Sequence, residues 1–226
     1  MLQPTGIDEQ LSAVRDDPLR VLVVGAGVAG ITIVGLLRGQ GLHPVLLERA
    51  EPGADSGYMI ALMPLVDPVL AALAATDEYV ANSISLRRYR MRNRHGATIR
   101  EYSMGELLHQ YGDYRGISRG DLLQVLGSPG GTVTHRATVT ALDQDAESVR
   151  ATIHDGTTSV SAGFDLVIAA DGLHSATRAL ALPPDQVAEY DTGWGGWVTW
   201  TDLDDDSDLG EELWGNGIFA GSYPVK

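Results

Sequence analysis

The chain alternates short apolar runs with glycine-marked breaks, and the period of each run predicts its element. Arg20 to Val24 is a β-branched apolar run; Gly25-Ala-Gly27-Val-Ala-Gly30 follows it, and Ile31 to Gln40 carries apolar residues at helical spacing up to a stop at Gly41. This reads as strand, tight turn and helix. His43 to Glu48 is a second short apolar strand ending in an acid, so the segment forms a βαβ unit with a parallel crossover. Asp67 to Ala75 is expected to be helical, Ser85 to Arg94 a strand, His95-Gly96 a turn and Ala97 to Tyr102 the return strand of a hairpin. Ser118 stands as an N-cap before a short helix reaching Leu126, which Gly127 to Gly131 ends. Three strand candidates follow, Thr132 to Arg136, Ala137 to Asp143 and Val149 to His154, with Asp155-Gly156 as a hairpin turn. Phe164 to Ala170 is a continuous apolar strand, broken by Asp171-Gly172 before a helix from Ser175 to Leu180. Residues 1–19 are polar, carry two prolines and lack a clean period; they are expected to be a leader, either frayed or packed as a short helix.

Composition narrows the class. Of 226 residues, 44% are hydrophobic and 20% charged, which excludes intrinsic disorder. The formal net charge of -14 repels phosphate backbones and anionic headgroups, so neither nucleic acid nor an anionic membrane is an expected partner. With no cysteine there is no disulfide framework, thiolate nucleophile or zinc-finger pattern, and a cytoplasmic setting fits. The uncharged run Val21 to Leu37 is shorter than the roughly 20 residues needed to span a bilayer and contains four glycines. The acid-rich residues before it do not read as a signal peptide.

The glycine motif sits in the context that gives it meaning. Gly25 allows the tight turn, Gly27 lets a pyrophosphate approach the backbone, and Gly30 lets helix and strand pack closely. The helix N-terminus offers free N–H groups and a positive dipole end. Glu48, eighteen residues beyond Gly30, is placed to accept hydrogen bonds from an adenosine ribose. The pattern points to a dinucleotide without separating FAD from NAD.

The segment Asp165-Leu-Val-Ile-Ala-Ala-Asp171-Gly-Leu-His-Ser-Ala-Thr-Arg178 repeats the order strand, Asp-Gly turn, helix. It resembles the Asp-Gly motif of flavoprotein aromatic hydroxylases of the para-hydroxybenzoate hydroxylase type. Ile117-Ser-Arg119-Gly-Asp-Leu122 is similar to that family's Arg-x-x-Leu helix start, and Ala137-Thr-Val139-Thr-Ala-Leu to its adenine-side strand. With Glu48-Arg49, four matches stand in the family's order across most of residues 20–180. The resemblance implies an α/β fold: a Rossmann-like FAD-binding parallel sheet with a discontinuous, incomplete β-rich substrate domain. It implies FAD held through Gly25, Gly27, Gly30, Glu48, Arg49, Arg119, Val139 and Asp171, with NAD(P)H as co-substrate. The activity it implies is flavin-dependent hydroxylation of a small organic substrate, typically aromatic, using O2. Residues 20–82 and 113–188 are expected to form the cofactor domain, and 83–112 with 189–226 part of the substrate sheet. No catalytic acid or base is named.

Rival readings remain open on the sequence. They are a flavin epoxidase or isoprenoid reductase of the same fold, an NAD-dependent dehydrogenase, and an inactive truncated FAD-binding module or one completed by a partner chain. The family's third flavin motif, a Gly-Asp followed by small residues after the Asp-Gly segment, is not assigned, because Gly112-Asp113 precedes that segment. Tyr190 to Trp200 is similar to the first strand of the substrate sheet and Tyr223 to Val225 to a later one. Trp194, Trp197 and Trp200 are expected in sheet core, or as a second choice in the wall of an aromatic pocket. Arg88, Arg90, Arg92 and Arg94 alternate and are expected to share one solvated strand edge, with a site for an acidic partner as the alternative. The acidic run from Asp202 to Asp208 departs from calcium-loop chemistry at Ser207 and Leu213, and reads as a solvated loop. The six histidines show no metal-ligand spacing.

Overall fold

The structure, a computed structural model, describes residues 2–53, 57–202 and 208–226. The acidic run of the sequence therefore lies mostly outside the described residues. The chain divides into two compact units, Met1–Asp55 with Leu126–Gly195 and Ser56–Val125 with Gly196–Lys226.

The first unit is built on a five-stranded parallel sheet in the order Gln3–Pro4, Thr132–His135, Val45–Glu48, Val21–Val24, Leu166–Ala169. A parallel sheet buries both faces, and the sequence of its central strands is accordingly apolar on both. Val21, Val23, Leu46 and Val133 face the helix Val28–Gly39 through Val34. The alternate residues Leu22, Val24, Val45 and Leu47 pack on the opposite side with Val139, Ala151, Ile153 and Phe164. These last four come from a three-stranded antiparallel sheet, Thr138–Gln144, Val149–His154 and Ser159–Phe164.

Residues 1–19 take the packed alternative. Gln3–Pro4 adds a strand beside Thr132–His135, and the helix Ile7–Val14 buries Ile7, Gln10 and Val14. Gln10 explains why this segment stays put. Its side chain accepts from the Leu46 N–H (2.9 Å) and donates to the Leu46 carbonyl (2.9 Å) and the Thr134 hydroxyl (2.7 Å), filling a gap in the ladder between the two strands. The expected strand Phe164 to Ala170 is two elements. Asp165 interrupts it, held by the backbone N–H and guanidinium of Arg20, so Phe164 ends the antiparallel sheet and Leu166 begins the parallel strand.

The second unit carries a four-stranded sheet in the order Phe219–Ser222, Leu209–Trp214, Arg88–Asn93, Thr98–Ser103. A smaller sheet, Met59–Leu62, Arg115–Ser118 and Ile84–Ser85, and the helices Asp67–Ala72, Thr76–Asn82 and Met104–Leu108 complete it. The helix Arg119–Gly127 begins here and runs into the first unit. The helix expected to reach Ala75 stops at Ala72, because Ala74 takes a left-handed φ of 53° before a second helix starts.

Three expectations in this unit are corrected. The arginine-rich strand is an interior strand rather than a solvated edge, flanked by Leu209–Trp214 and Thr98–Ser103. It tolerates its charge because Arg88 pairs with Asp208 at 2.6 Å, Arg90 with Glu101 at 2.8 Å and Arg92 with Glu211 at 2.8 Å. Arg94 lies beyond the strand, exposed beside His95. Residues 187–202 form no strand, and Trp194, Trp197 and Trp200 are 69%, 98% and 54% exposed rather than core. Gly193, Gly195 and Gly196 interrupt them, and no neighbouring strand among the described residues hydrogen-bonds to this stretch. The last strand is Phe219–Ser222 rather than Tyr223 to Val225; the Tyr223 ring instead packs over the bare backbone of Gly210 and Gly221.

Candidate functional site

The candidate site lies where the parallel strands end. Val21–Val24 runs into Gly25, whose φ of +103° turns the chain while its N–H is tied to the Leu47 carbonyl at 2.8 Å. A β-carbon built on Gly25 would lie 2.6 Å from the Ala170 carbonyl oxygen and 2.8 Å from Cα of Asp171. One built on Gly30 would lie 1.8 Å from the Gly25 carbonyl oxygen. The glycine turn and the Asp-Gly turn are therefore interlocked backbone to backbone. Gly27 differs: nothing lies within 4 Å of its would-be β-carbon. The first intrahelical bond runs from the Ile31 N–H to the Gly27 carbonyl (3.0 Å), so the N–H groups of Val28, Ala29 and Gly30 precede the helical ladder. Open space beside exposed N–H donors at a positive dipole end suits a pyrophosphate.

Glu48 ends the neighbouring strand. Its carboxylate accepts from the Ala26 N–H (2.8 Å) and the Ala50 N–H (2.7 Å), which fixes it against the glycine turn while each oxygen keeps a further lone pair for a ribose hydroxyl. Arg49 is exposed beside it. Ala137 N–H donates to the Glu48 carbonyl at 3.0 Å, bringing the start of the Thr138–Gln144 strand to the same edge. The Val139 side chain is 3% exposed and belongs to the core, so only its backbone is left to meet a ligand; a register shift follows directly after it.

Asp171 is held within the chain. Its carboxylate accepts from the Ser175 hydroxyl (2.5 Å), the Thr177 N–H (3.0 Å) and the Thr177 hydroxyl (2.9 Å). Burial alone would raise its pKa, but these hydrogen bonds outweigh it and hold the carboxyl below its ordinary value. Its work is to shape the turn. Ser175 caps the following helix by accepting from the Arg178 N–H (2.9 Å), and Arg178 in turn donates to the Leu173 carbonyl (3.1 Å). Ala170, Ser175, Thr177 and Arg178 are thus supporting residues, and the roles of Ala170, Ser175 and Thr177 are seen only once the turn is built.

Arg119 lies in the second unit, at the first position of its helix. Its N–H donates to the Tyr58 carbonyl (2.9 Å), and Gly57 leaves room for its β-carbon at 3.1 Å. Ser118 caps that helix as the sequence predicts, accepting from the Asp121 N–H at 3.0 Å. The other candidate residues all belong to the first unit. Among the described residues no group of three or more His, Asp or Glu could hold a metal ion, and no helix is long and apolar enough to cross a membrane.

No protein-family model matches the chain. A 3-amino-4-hydroxybenzoate 2-monooxygenase of Streptomyces cremeus is 36% identical over 168 residues, covering 72% of this chain and 42% of that protein. A protein named flavin-dependent monooxygenase is 31% identical over 171 residues, covering 74% of this chain and 43% of that protein. Another of these relatives, an FAD-dependent urate hydroxylase of Klebsiella pneumoniae, is 29% identical over 82% of this chain and 47% of its own length. The chain thus spans less than half the length of the curated relatives it matches. Among solved structures, Klebsiella pneumoniae HpxO complexed with FAD and uric acid superposes with a TM-score of 0.69 at 23% identity, over 92% of this chain and 53% of that one. At that identity the likeness shows the fold, an α/β architecture with a parallel sheet.

Proposed function

We propose that this chain carries the flavin-binding part of a monooxygenase that uses FAD, NAD(P)H and O2 to hydroxylate a small aromatic substrate. The observation that carries the reading is Gly27: in a motif whose other two glycines are locked against backbone, it alone faces open space in front of the helix N-terminus. The cofactor fits the residues present. The N–H groups of Val28 and Ala29 would hold the pyrophosphate, Glu48 would bind the adenosine ribose, and the backbone around Val139 would border the adenine. Arg49 would supply positive charge beside the cofactor in a chain that is otherwise strongly negative, and Arg119 would contact FAD as the family resemblance implies. Asp171 would border the cofactor and holds the loop from Gly172 to His174 in place beside it. FAD, when bound, supplies hydride acceptance and oxygen activation, chemistry no side chain provides. The protein contributes binding, orientation and exclusion of water.

In the same reading residues 20–82 with 113–188 serve the cofactor, and 83–112 with 189–226 contribute to a substrate sheet. The relatives named for aromatic substrates, an aminohydroxybenzoate and urate, support a small planar substrate without choosing one. The test is an FAD titration of the chain followed by visible absorbance, beside a Gly27→Val variant. Flavin bound by the parent and lost in a variant of unchanged circular dichroism is the expected result. Equal binding by both would remove the pyrophosphate from this turn.

A further inference from the structure

We propose that the second unit holds a binding site for a small organic cation, a primary amine or diamine, in a cavity at Asp67. It does not rest on the flavin reading. The cavity, of about 440 Å³, lies among the helices Asp67–Ala72 and Thr76–Asn82 and the segment His109 to Arg115. What lines it is rich in acceptors. Asp67 has no hydrogen bond or ion pair to its carboxylate among the described residues, and it can sit there only because Gly112 has no side chain: a β-carbon on Gly112 would lie 2.8 Å from Asp67 Oδ2. His109 Nδ1 lies 2.8 Å from the Glu106 carbonyl, which can only accept, so in the neutral ring Nε2 is left as an acceptor.

The one cation present is already used. Arg115 donates to Ser83 Oγ (2.8 Å), the Ser83 carbonyl (3.0 Å) and the Val80 carbonyl (3.2 Å), and pairs with Asp113 at 3.0 Å. Asp113 is thereby paired, and Asp67, which feels Arg115 only at a distance, has no direct partner for its charge among the described residues. Burial chiefly, and then the charge of Asp113, push its carboxyl above the ordinary value, with Arg115 opposing them.

The second observation is independent of the acids. Tyr79 is 2% exposed, yet its hydroxyl has no hydrogen-bond partner among the described residues and borders this cavity. Burial pushes that hydroxyl up to about 12, so it stays protonated and can both donate and accept. Among the described residues the only side-chain polar atom both buried and without a hydrogen bond is Arg92 Nε, so the Tyr79 hydroxyl is reached through the cavity, where a ligand can supply its partner. A carboxylate, an imidazole nitrogen and a phenol oxygen together ask for several N–H donors and a positive charge, which describes an ammonium group. A divalent ion is the poorer match, since no metal-binding group of three acids or histidines is found among the described residues. The net charge of -14 draws cations toward the protein.

The experiment is isothermal titration of the full chain with 1,4-diaminobutane at physiological salt. Asp67→Asn, Tyr79→Phe and the exposed charge-matched control Asp16→Asn are run beside the parent. Saturable binding is expected, at least about tenfold weaker in D67N, as suits the loss of a hydrogen bond to a charged group, several-fold weaker in Y79F and unchanged in D16N. If D67N fails to fold by circular dichroism, Y79F decides: weaker binding supports the site and unchanged binding overturns it. Absence of saturable heat in the parent, or equal losses in D67N and D16N, overturns it as well.

Discussion

Gly27 and Gly30 stand three positions apart in one motif yet answer to different neighbours, and substitution separates them. A methyl group on Gly30 meets the Gly25 carbonyl, so Gly30→Ala should lower stability by about 1–3 kcal/mol, the usual cost of forcing atoms into a packed site. Gly27→Ala meets nothing, so its melting temperature should match the parent while FAD affinity falls. Thermal unfolding by circular dichroism and flavin titration on the same two proteins check this. Asp171 makes a prediction of a different kind. Its folded pKa lies below the unfolded value of about 3.9, so its contribution is present above that pH and is lost as pH falls through the folded value. Asp171→Asn should therefore be less stable than the parent at neutral pH, by about 1 kcal/mol for impaired hydrogen bonding, with the gap closing in acid. The glycines were legible in sequence because their chemistry is local. The Asp171 partners were not, because Ser175 and Thr177 become its donors only when the turn brings them back over it.

At the scale of elements, the central strands were legible from their unbroken apolar runs, and the strands that pair Met59–Leu62 with Arg115–Ser118 were not. Arg115–Ser118 carries mixed, glycine-containing sequence, and Met59–Leu62 is an apolar run of only four residues; each is a strand by virtue of its partner. The break at Asp165 was hidden for the same reason: a lone acid in an apolar run is ambiguous until Arg20 is seen to hold it. That bidentate pair, 2.6 and 3.2 Å, draws the Asp165 carboxyl down to about 2. The stabilisation it provides is fully present above the unfolded value of about 3.9 and disappears as pH falls toward about 2. Acid titrations of the parent and Asp165→Asn should diverge at neutral pH and converge near the bottom of that window. Gln10 ties helix to sheet by another route. Gln10→Leu would leave the Leu46 N–H and carbonyl without their side-chain partner and the Thr134 hydroxyl with only its bond to the Thr5 carbonyl, and should cost about 1–3 kcal/mol in urea unfolding despite adding apolar surface.

At the scale of the whole chain, all four tryptophans are about half exposed or more, three of them within residues 194–200. Urea unfolding followed by circular dichroism should therefore show a full transition, while tryptophan emission starts red-shifted and scarcely moves. A large blue shift in the native protein would place that segment against a partner surface. Sequence placed these tryptophans in a core because aromatic residues usually end there; nothing local reveals that a segment has no strand to pair with.

The interlock of Gly25 and Gly30 with Ala170 also sets an order of events during synthesis. The strand Val21–Val24 is made early, but its neighbour Leu166–Ala169 and the turn that abuts Gly25 leave the ribosome more than a hundred residues later. Contacts so distant in sequence close slowly, because the intervening chain must first be gathered. A nascent chain stalled before residue 166 would display the glycine turn with one wall missing, and should not retain flavin, whereas one released past residue 178 could. The proposed cofactor pocket is thus assembled from the two segments of its unit, and translation must pass nearly the whole of that unit before the pocket is closed.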